Sequence, residues 1–281
     1  MLLAQISDTH VQLPGGELDR YYDTAGHLAR AVAHLNALSP PPEGVLLTGD
    51  TVDAGAPAEY ARLREILAPL RAPLFVIPGN HDEREAMRAA FGADAYLPAE
   101  GFLQYVVEDW PLRLIGLDTV VPGEPGGRLC EARLRWLDAR LAEAPTRPTV
   151  LFLHHPPFHT GMTLMDRMGL REPEGLARVV ARHAQVRHVL AGHLHRPIVT
   201  AFAGTLASTC PSTAHQVALD LPPNAGLGVV MEPPAATLLH YDEHADTLVH
   251  HLSYIGARPR HVLHDGREWR LHEEPPPGFR G

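Results

Sequence analysis

The stretch VLAGHLHRP, residues 189–197, joins an apolar run to two histidines that are separated by one residue. Residues 189–191 are typical of the end of a buried strand, and Gly192 would end that strand. In an extended backbone, residues i and i+2 point to the same side, so His193 and His195 would present two imidazoles to one point. Two surface histidines in a loop would give the same pattern, so the choice between a binding site and a surface loop depends on the rest of the chain.

Four other strand-like runs also end in polar residues. They are LLAQI (2–6), GVLLTG (44–49), PLFVIPG (73–79) and TVLFL (149–153). The polar residues that follow them are Asp8, His10, Asp50, Asp53, Asn80, His81, Asp82, His154 and His155. Amphipathic helical segments lie between these runs, which predicts a layered α/β fold. Binding sites of such folds gather at the carboxyl ends of the strands.

The chemistry of these residues indicates a metal centre. The candidate ligands are Asp8, His10, Asp50, Asn80, His154, His193 and His195. They are too many for one tetrahedral zinc ion, and they suit two divalent ions that share a bridging carboxylate. Because no thiolate is among them, Mn, Fe, Co or Zn is expected. A single polar strand end is often without function, but five in succession make coincidence a poor explanation.

The ordered motifs resemble a known family. DTH (8–10), GDTVD (49–53), GNHD (79–82), HHPP (154–157) and GHLH (192–195) resemble the calcineurin-like metallophosphoesterase superfamily over the first 200 residues. The segments DTAGHLARAVAHLNAL (23–38) and STAHQV (212–217) resemble the branch of class III cyclic nucleotide phosphodiesterases and bacterial glycerophosphodiesterases. The resemblance implies a four-layer αββα sandwich with a small C-terminal β cap or dimerisation region.

The resemblance also implies a role for each ligand. Asp8, His10 and His195 would hold one ion, Asn80, His154 and His193 would hold the other, and Asp50 would bridge them. In HHPP, the ligand histidine stands two residues before the first proline, so His155 would face elsewhere.

Three further residues receive roles near the substrate. His81 would lie near the departing oxygen, oriented by Asp53 through a hydrogen bond, and His215 would face the substrate. For Asp53 the alternative is a cap for the helix from residue 58, and for His215 it is a structural loop position. Asp82 is expected to cap the helix that begins at residue 83.

The activity implied is that of a dinuclear metal-dependent phosphodiesterase, which uses a metal-bound hydroxide on small diesters such as cyclic nucleotides or glycerophosphodiesters. Phosphoprotein phosphatases of the superfamily usually read GDxVDRG and GNHE, whereas Ala54 and Asp82 stand here. The missing arginine disfavours a monoester dianion. A broad phosphomonoesterase or phosphonate ester hydrolase stays open as an alternative, and a non-catalytic scaffold is a more remote one.

The bulk composition restricts the partners. The chain has 281 residues, of which 45% are hydrophobic and 20% charged, with a net charge of −9. This acidity argues against binding to a nucleic-acid polymer. No apolar run is long enough to span a membrane, and MLLAQISDTH has no signal-peptide character, so a cytoplasmic protein is expected. Cys130 and Cys210 are expected to be free thiols.

The chain is expected to divide into three parts. Residues 1–204 would form the catalytic core, 205–256 a β-rich cap or oligomerisation segment, and 257–281 a loosely ordered tail. Within the second part, residues 236–255 read as a hairpin. Through this segment the protein is expected to form a homodimer or a higher oligomer.

Overall fold

A computed structural model describes residues 1–94, 96–256 and 260–270. The strands are β1 (Leu2–Ile6), β2 (Gly44–Thr48), β3 (Leu74–Ile77), β4 (Tyr105–Val107), β5 (Arg113–Gly116), β6 (Gly127–Arg128), β7 (Thr149–Phe152), β8 (Leu170–Arg171), β9 (Val186–Ala191), β10 (Ile198–Phe202), β11 (Thr205–Thr209), β12 (Gln216–Val217), β13 (Val229–Val230), β14 (Ala235–Asp242) and β15 (Thr247–Tyr254). The helices are α1 (Glu17–Tyr22), α2 (Thr24–Ala37), α3 (Pro57–Leu67), α4 (Arg84–Phe91), α5 (Glu131–Ala142), α6 (Thr163–Asp166) and α7 (Glu174–Ala181), with a 3-10 turn at Gly92–Asp94.

Two mixed sheets form the centre of the fold. The first has the order β15-β14-β1-β2-β3, in which β1, β2 and β3 are parallel. The second has the order β10-β11-β9-β7-β5-β4, in which β11, β9, β7 and β5 are parallel. Two small pairs, β12-β13 and β6-β8, complete the strands. The parallel strands supply the ends at which the polar residues lie.

Alternation along the strands of the second sheet sets the layers. Val150 and Phe152 belong to a core that also contains the first sheet, α2, α3 and α4. Leu151 and Leu153 point the other way, into a second core with α5 and α7. The layer order is therefore helices, first sheet, second sheet, helices, which confirms the αββα sandwich.

Strands of the predicted C-terminal segment belong to the two central sheets. The hairpin expected at 236–255 is confirmed as β14-β15, and β14 pairs antiparallel with β1. Likewise β11, at the start of the predicted cap, pairs with β9 inside the second sheet. Apolar alternation explains the pairing of β14 with β1, since Leu239 and Tyr241 lie on one face of β14 and are buried in the larger core. A domain boundary after residue 204 stays a prediction.

The predicted tail is described only in part. Residues 257–259 and 271–281 lie outside the described residues, while His264 and Trp269 form an isolated β-bridge. Among the helices of the described ranges, none is both long and apolar enough to cross a bilayer.

Candidate metal centre

The polar strand ends of both sheets meet at one edge of the sandwich. Asp8 and His10 follow β1, Asp50 and Asp53 follow β2, Asn80 and His81 follow β3, His154 follows β7, and His193 and His195 follow β9. Carboxyl ends of parallel strands lie at the same edge of a sheet, and here two such edges face each other. The structure thus brings together all seven residues predicted as ligands.

Left-handed backbone turns aim these side chains. Five of the predicted ligands have positive φ angles, namely Asp8 (54°), His10 (41°), Asp50 (47°), His193 (69°) and His195 (50°). Each such conformation costs on the order of 1–3 kcal/mol in a residue other than glycine. Main-chain hydrogen bonds hold the turns, for example from Asp8 N–H to Gly49 O at 3.1 Å and from His10 N–H to Asp50 O at 3.0 Å. Strain concentrated in this way is typical of a preorganised site.

The first cluster contains Asp8, His10 and His195. The Nε2 atoms of His10 and His195 lie 3.2 Å apart, and His195 Nε2 is 3.5 Å from an Asp8 carboxylate oxygen. His10 Nδ1 donates to the Asp53 carboxylate at 3.2 Å, and His195 Nδ1 donates to the main-chain oxygen of His215 at 2.9 Å. With the protons on Nδ1, both Nε2 atoms carry lone pairs that face each other.

The second cluster contains Asn80, His154 and His193. His154 Nε2 lies 3.2 Å from Asn80 Oδ1 and 3.2 Å from His193 Nδ1. His154 Nδ1 donates to the main-chain oxygen of Thr48 at 2.8 Å, so Nε2 is the ring nitrogen that faces the cluster. Gly49 makes room here, because a Cβ atom at this position would overlap His154 Nδ1.

Asp50 lies between the two clusters. Its Oδ1 accepts the main-chain N–H of His81 at 2.9 Å. Its Oδ2 is 3.6 Å from His10 Nε2 and 3.3 Å from His154 Nε2. Burial favours the neutral acid, but the charge and hydrogen bond of His154 outweigh it and hold the pKa of Asp50 well below its usual value. One charged oxygen therefore faces both clusters.

This donor set fits divalent cations. Lone pairs of imidazoles, carboxylates and an amide converge, and burying them without a positive partner is unfavourable. Burial and the neighbouring imidazoles lower the pKa values of His193 and His195 to about 3, so both side chains are neutral at pH 7. Groups of ligand atoms within 4.8 Å of one another include Asp8-His10-His195 and Asp8-Asp50-His154. Nitrogen and oxygen donors of this kind suit Zn, Mn, Fe or Co.

His81 and Asp53 form a pair beside the clusters. His81 Nδ1 donates to the main-chain oxygen of Asp53 at 2.7 Å and lies 3.3 Å from its carboxylate. Burial lowers the pKa of His81, but the hydrogen bonds that His81 donates to Asp53 and the charge of Asp50 outweigh it and raise the value to about 10. The alternative role of Asp53 as a helix cap is not what the structure has, since Ala56 is the N-cap of α3. The main-chain N–H of Ala56 donates a hydrogen bond to the Glu59 carboxylate at 3.2 Å.

His215 lies against the first cluster. Its ring centroid is 4.8 Å from that of His195 and 5.6 Å from that of His10. Tyr22 of α1 stacks on the ring at 4.9 Å. Burial lowers the pKa of His215 to about 2, and its Nδ1 has no hydrogen-bond partner among the described residues.

The prediction for Asp82 is wrong. Glu83 caps α4, because its side chain accepts the N–H of Ala86 at 2.8 Å. Asp82 is instead buried with 7% exposure, and it accepts hydrogen bonds from Thr51, Gly79 and Tyr60. Glu83 rather than Asp82 is the helix cap because these donors, which lie beside the predicted ligands, keep the Asp82 carboxylate buried.

His155 lies beside the second cluster, and the expectation that it faces elsewhere stays a prediction. Its Nδ1 accepts from the Thr119 hydroxyl at 2.8 Å, and its Nε2 donates to the main-chain oxygen of Pro125 at 3.2 Å. Both ring nitrogens are therefore engaged, although the residue lies close to His154 and His193.

Gln12 is a neighbour of the site whose role the sequence alone does not indicate. Gln12 donates to the Asp53 carboxylate at 2.6 Å. The sequence signal for Gln12 is its position two residues after His10, because residues i and i+2 of an extended chain point to the same side.

Comparison with curated proteins finds phosphodiesterases. The "Probable glycerophosphodiester phosphodiesterase GpdQ" of Arcobacter nitrofigilis is 38% identical over 257 residues, covering 91% of this chain and 94% of the relative. The "Probable cyclic nucleotide phosphodiesterase RPA0124" of Rhodopseudomonas palustris is 38% identical over 269 residues, covering 94% and 97%.

Solved structures and family sequence models agree on the fold. A dimetal phosphatase from Danio rerio superposes with a TM-score of 0.65 at 16% identity, over 91% of this chain and 96% of that one. The sequence model for the calcineurin-like phosphoesterase matches residues 1–197, which contain all five motifs. With this match, and with two relatives that span nearly the whole chain, the protein belongs to the calcineurin-like phosphoesterase family.

Proposed function

We propose that the protein is a phosphodiesterase that hydrolyses small phosphodiesters with the help of two divalent ions. The observation that carries this proposal is the Asp50 oxygen that faces both clusters of lone pairs. The names of the two relatives, one a glycerophosphodiester and the other a cyclic nucleotide phosphodiesterase, support the substrate class.

The ligand assignment is part of the proposal. Asp8, His10 and His195 would hold one ion, Asn80, His154 and His193 the other, and Asp50 would contact both, in agreement with the distances within each cluster. When bound, such ions supply Lewis acidity toward phosphoryl oxygens and lower the pKa of water. Mn, Fe, Zn and Co are the candidates.

His81 and Asp53 would act on the departing oxygen. His81 keeps 39% of its side chain exposed, so a substrate can reach it. Because Asp53 engages Nδ1, the second ring nitrogen stays available to the leaving alcohol. Asp53 stabilises the protonated imidazole and fixes its orientation, which suits a donor to developing negative charge. His215 lies against His195 and His10, and from there it would also contact the substrate.

Charge around the site favours a diester over a monoester. The chain has no lysine, so apart from histidines its positively charged side chains are arginines. Three arginines that adjoin residues of the site are ion-paired: Arg62 with Asp19 at 2.9 Å, Arg84 with Asp118 at 2.6 Å and Arg196 with Glu232 at 2.9 Å. A monoester dianion normally requires a free guanidinium, whereas a diester carries a single charge.

A paired assay tests the function. The metal-loaded protein is given bis(para-nitrophenyl) phosphate and para-nitrophenyl phosphate side by side, with an Asp50→Ala variant as a control for contaminating hydrolases. A higher kcat/KM on the diester is expected. Preference for the monoester would favour the phosphomonoesterase alternative, and a metal-loaded protein without activity on either would favour the scaffold. Cyclic nucleotides and glycerophosphodiesters are compared next.

We also propose that the protein forms a homo-oligomer through the sheet edges at β10 and β15. Both are edge strands, and Val199, Val249 and Leu252 are 66%, 43% and 41% exposed there. Apolar edge strands are prone to pair with another chain. Light scattering after size exclusion tests this, and a monomer at micromolar concentration would contradict it.

A further inference from the structure

The two ends of the Gln12 amide hold two different parts of the chain. Nε2 donates to Asp53 Oδ2 at 2.6 Å. Oε1 accepts from the main-chain N–H groups of Leu18 at 2.8 Å and Asp19 at 3.4 Å, both in α1. The partners define the orientation of the amide, because the main-chain groups only donate and the carboxylate only accepts.

Asp53 transmits this restraint to His81. Its Oδ1 lies 3.2 Å from His10 Nδ1 and 3.3 Å from His81 Nδ1, while Gln12 holds Oδ2. With one oxygen held by a short charge-assisted hydrogen bond, the carboxylate loses its freedom to rotate about χ2. The other oxygen then stays directed at the imidazoles.

We propose that Gln12 is a positioning residue for His81. Its amide fixes the plane of the Asp53 carboxylate, and the carboxylate in turn fixes the imidazole that faces the departing oxygen. This inference rests on the proposed function, from which it takes the role of His81.

Two substitutions separate the two ends of the amide. Gln12→Met keeps the bulk and removes both contacts. Gln12→Glu keeps an acceptor for the N–H groups of Leu18 and Asp19, but it removes the donor and brings a second carboxylate to Asp53. Both variants are expected to lose about 10- to 100-fold in kcat on a dialkyl phosphate, as is usual for residues that orient a functional group. Metal content, and the rate on an aryl diester whose leaving group needs no proton, are expected to stay at wild-type values.

Arg62→Met is the matched control for α1. It removes the ion pair with Asp19 and the hydrogen bond to the main-chain oxygen of Gln12 without touching Asp53. This variant is expected to keep the wild-type dependence of rate on leaving group. If Arg62→Met and Gln12→Met were both impaired while Gln12→Glu behaved as wild type, the effect would belong to α1 and the inference would be overturned.

A double-mutant cycle closes the test. In a His81→Ala background, Gln12→Met is expected to cause no further loss of kcat on the dialkyl phosphate. A full additional loss, or a fall in metal content, would mean that Gln12 acts through His10 and would overturn the inference. A metal-loaded wild type without diesterase activity would refute the proposed function, whereas an active wild type with unaffected Gln12 variants would refute this inference alone.

Discussion

Removing the Asp82 carboxylate should destabilise the protein far more than removing a helix cap. Asp82 accepts from Thr51 N at 3.1 Å, Thr51 Oγ1 at 2.5 Å, Gly79 N at 2.9 Å and Tyr60 Oη at 2.9 Å. The two hydroxyls can rotate toward other acceptors, but the two main-chain N–H groups cannot. In Asp82→Ala each would stay buried without a partner, which costs about 1–3 kcal/mol, or about 4 kcal/mol for the two.

The neighbouring residue provides a control. Glu83 caps α4, so Glu83→Ala should lower the free energy of unfolding by only about 1 kcal/mol. At about 2–4 °C per kcal/mol, the melting temperature should fall by about 8–16 °C for Asp82→Ala and about 2–4 °C for Glu83→Ala. Both are measured by thermal and urea unfolding after treatment with a chelator, so that metal loss does not contribute.

Equal destabilisation of the two variants would refute this reasoning, since it would mean that Asp82 contributes no more to stability than a helix cap. If Asp82→Ala fails to fold, Asp82→Asn serves in its place. It keeps one acceptor oxygen, so an intermediate loss of about 2 kcal/mol is expected.

Three other predictions concern histidines and the shared carboxylate. His81→Ala should keep two ions per chain by elemental analysis and lose about 100-fold or more in kcat on dialkyl phosphates, with a much smaller loss on aryl diesters; equal losses on both would contradict its role at the leaving group. Asp50→Ala should lose metal, and full occupancy with a normal rate would remove its bridging assignment. Burial and His250 lower the pKa of His188 to about 3 from 6.5. The unfolded chain therefore takes up a proton that the folded one does not, and stability falls as the pH drops below 6.5 toward 3. At pH 5 this proton uptake lowers the free energy of unfolding by about 2 kcal/mol. After treatment with a chelator, the urea midpoint of His188→Gln should therefore fall less between pH 7.5 and 5 than that of the wild type. An identical fall would contradict the role of His188.

The sequence sufficed to predict the fold class and the set of residues at the site. Five apolar runs each ended in Asp, Asn or His, and parallel strands place such ends together. The motifs were specific enough for the family. The pairing of β14 with β1 was harder to foresee, because local alternation predicts a hairpin without saying which edge it joins.

The errors and omissions share a physical cause. Asp82 and Glu83 are both suitable helix caps by residue type, and only tertiary donors from Thr51, Gly79 and Tyr60 decide between them. Likewise, the positive φ of His193 depends on contacts across the two sheets, since its N–H donates to the Asp8 carboxylate at 3.0 Å. The cytoplasmic location and the oligomeric state stay predictions.

The predicted ligands of each cluster come from both sheets. Asp8 and His10 come from the first sheet and His195 from the second, while Asn80 comes from the first and His154 from the second. Bound ions would therefore link the two halves of the sandwich at this edge. Ligand binding stabilises the folded state in proportion to the logarithm of its concentration. The concentration of free metal would then set not only the rate of hydrolysis but also the lifetime of the protein under heat or proteolysis.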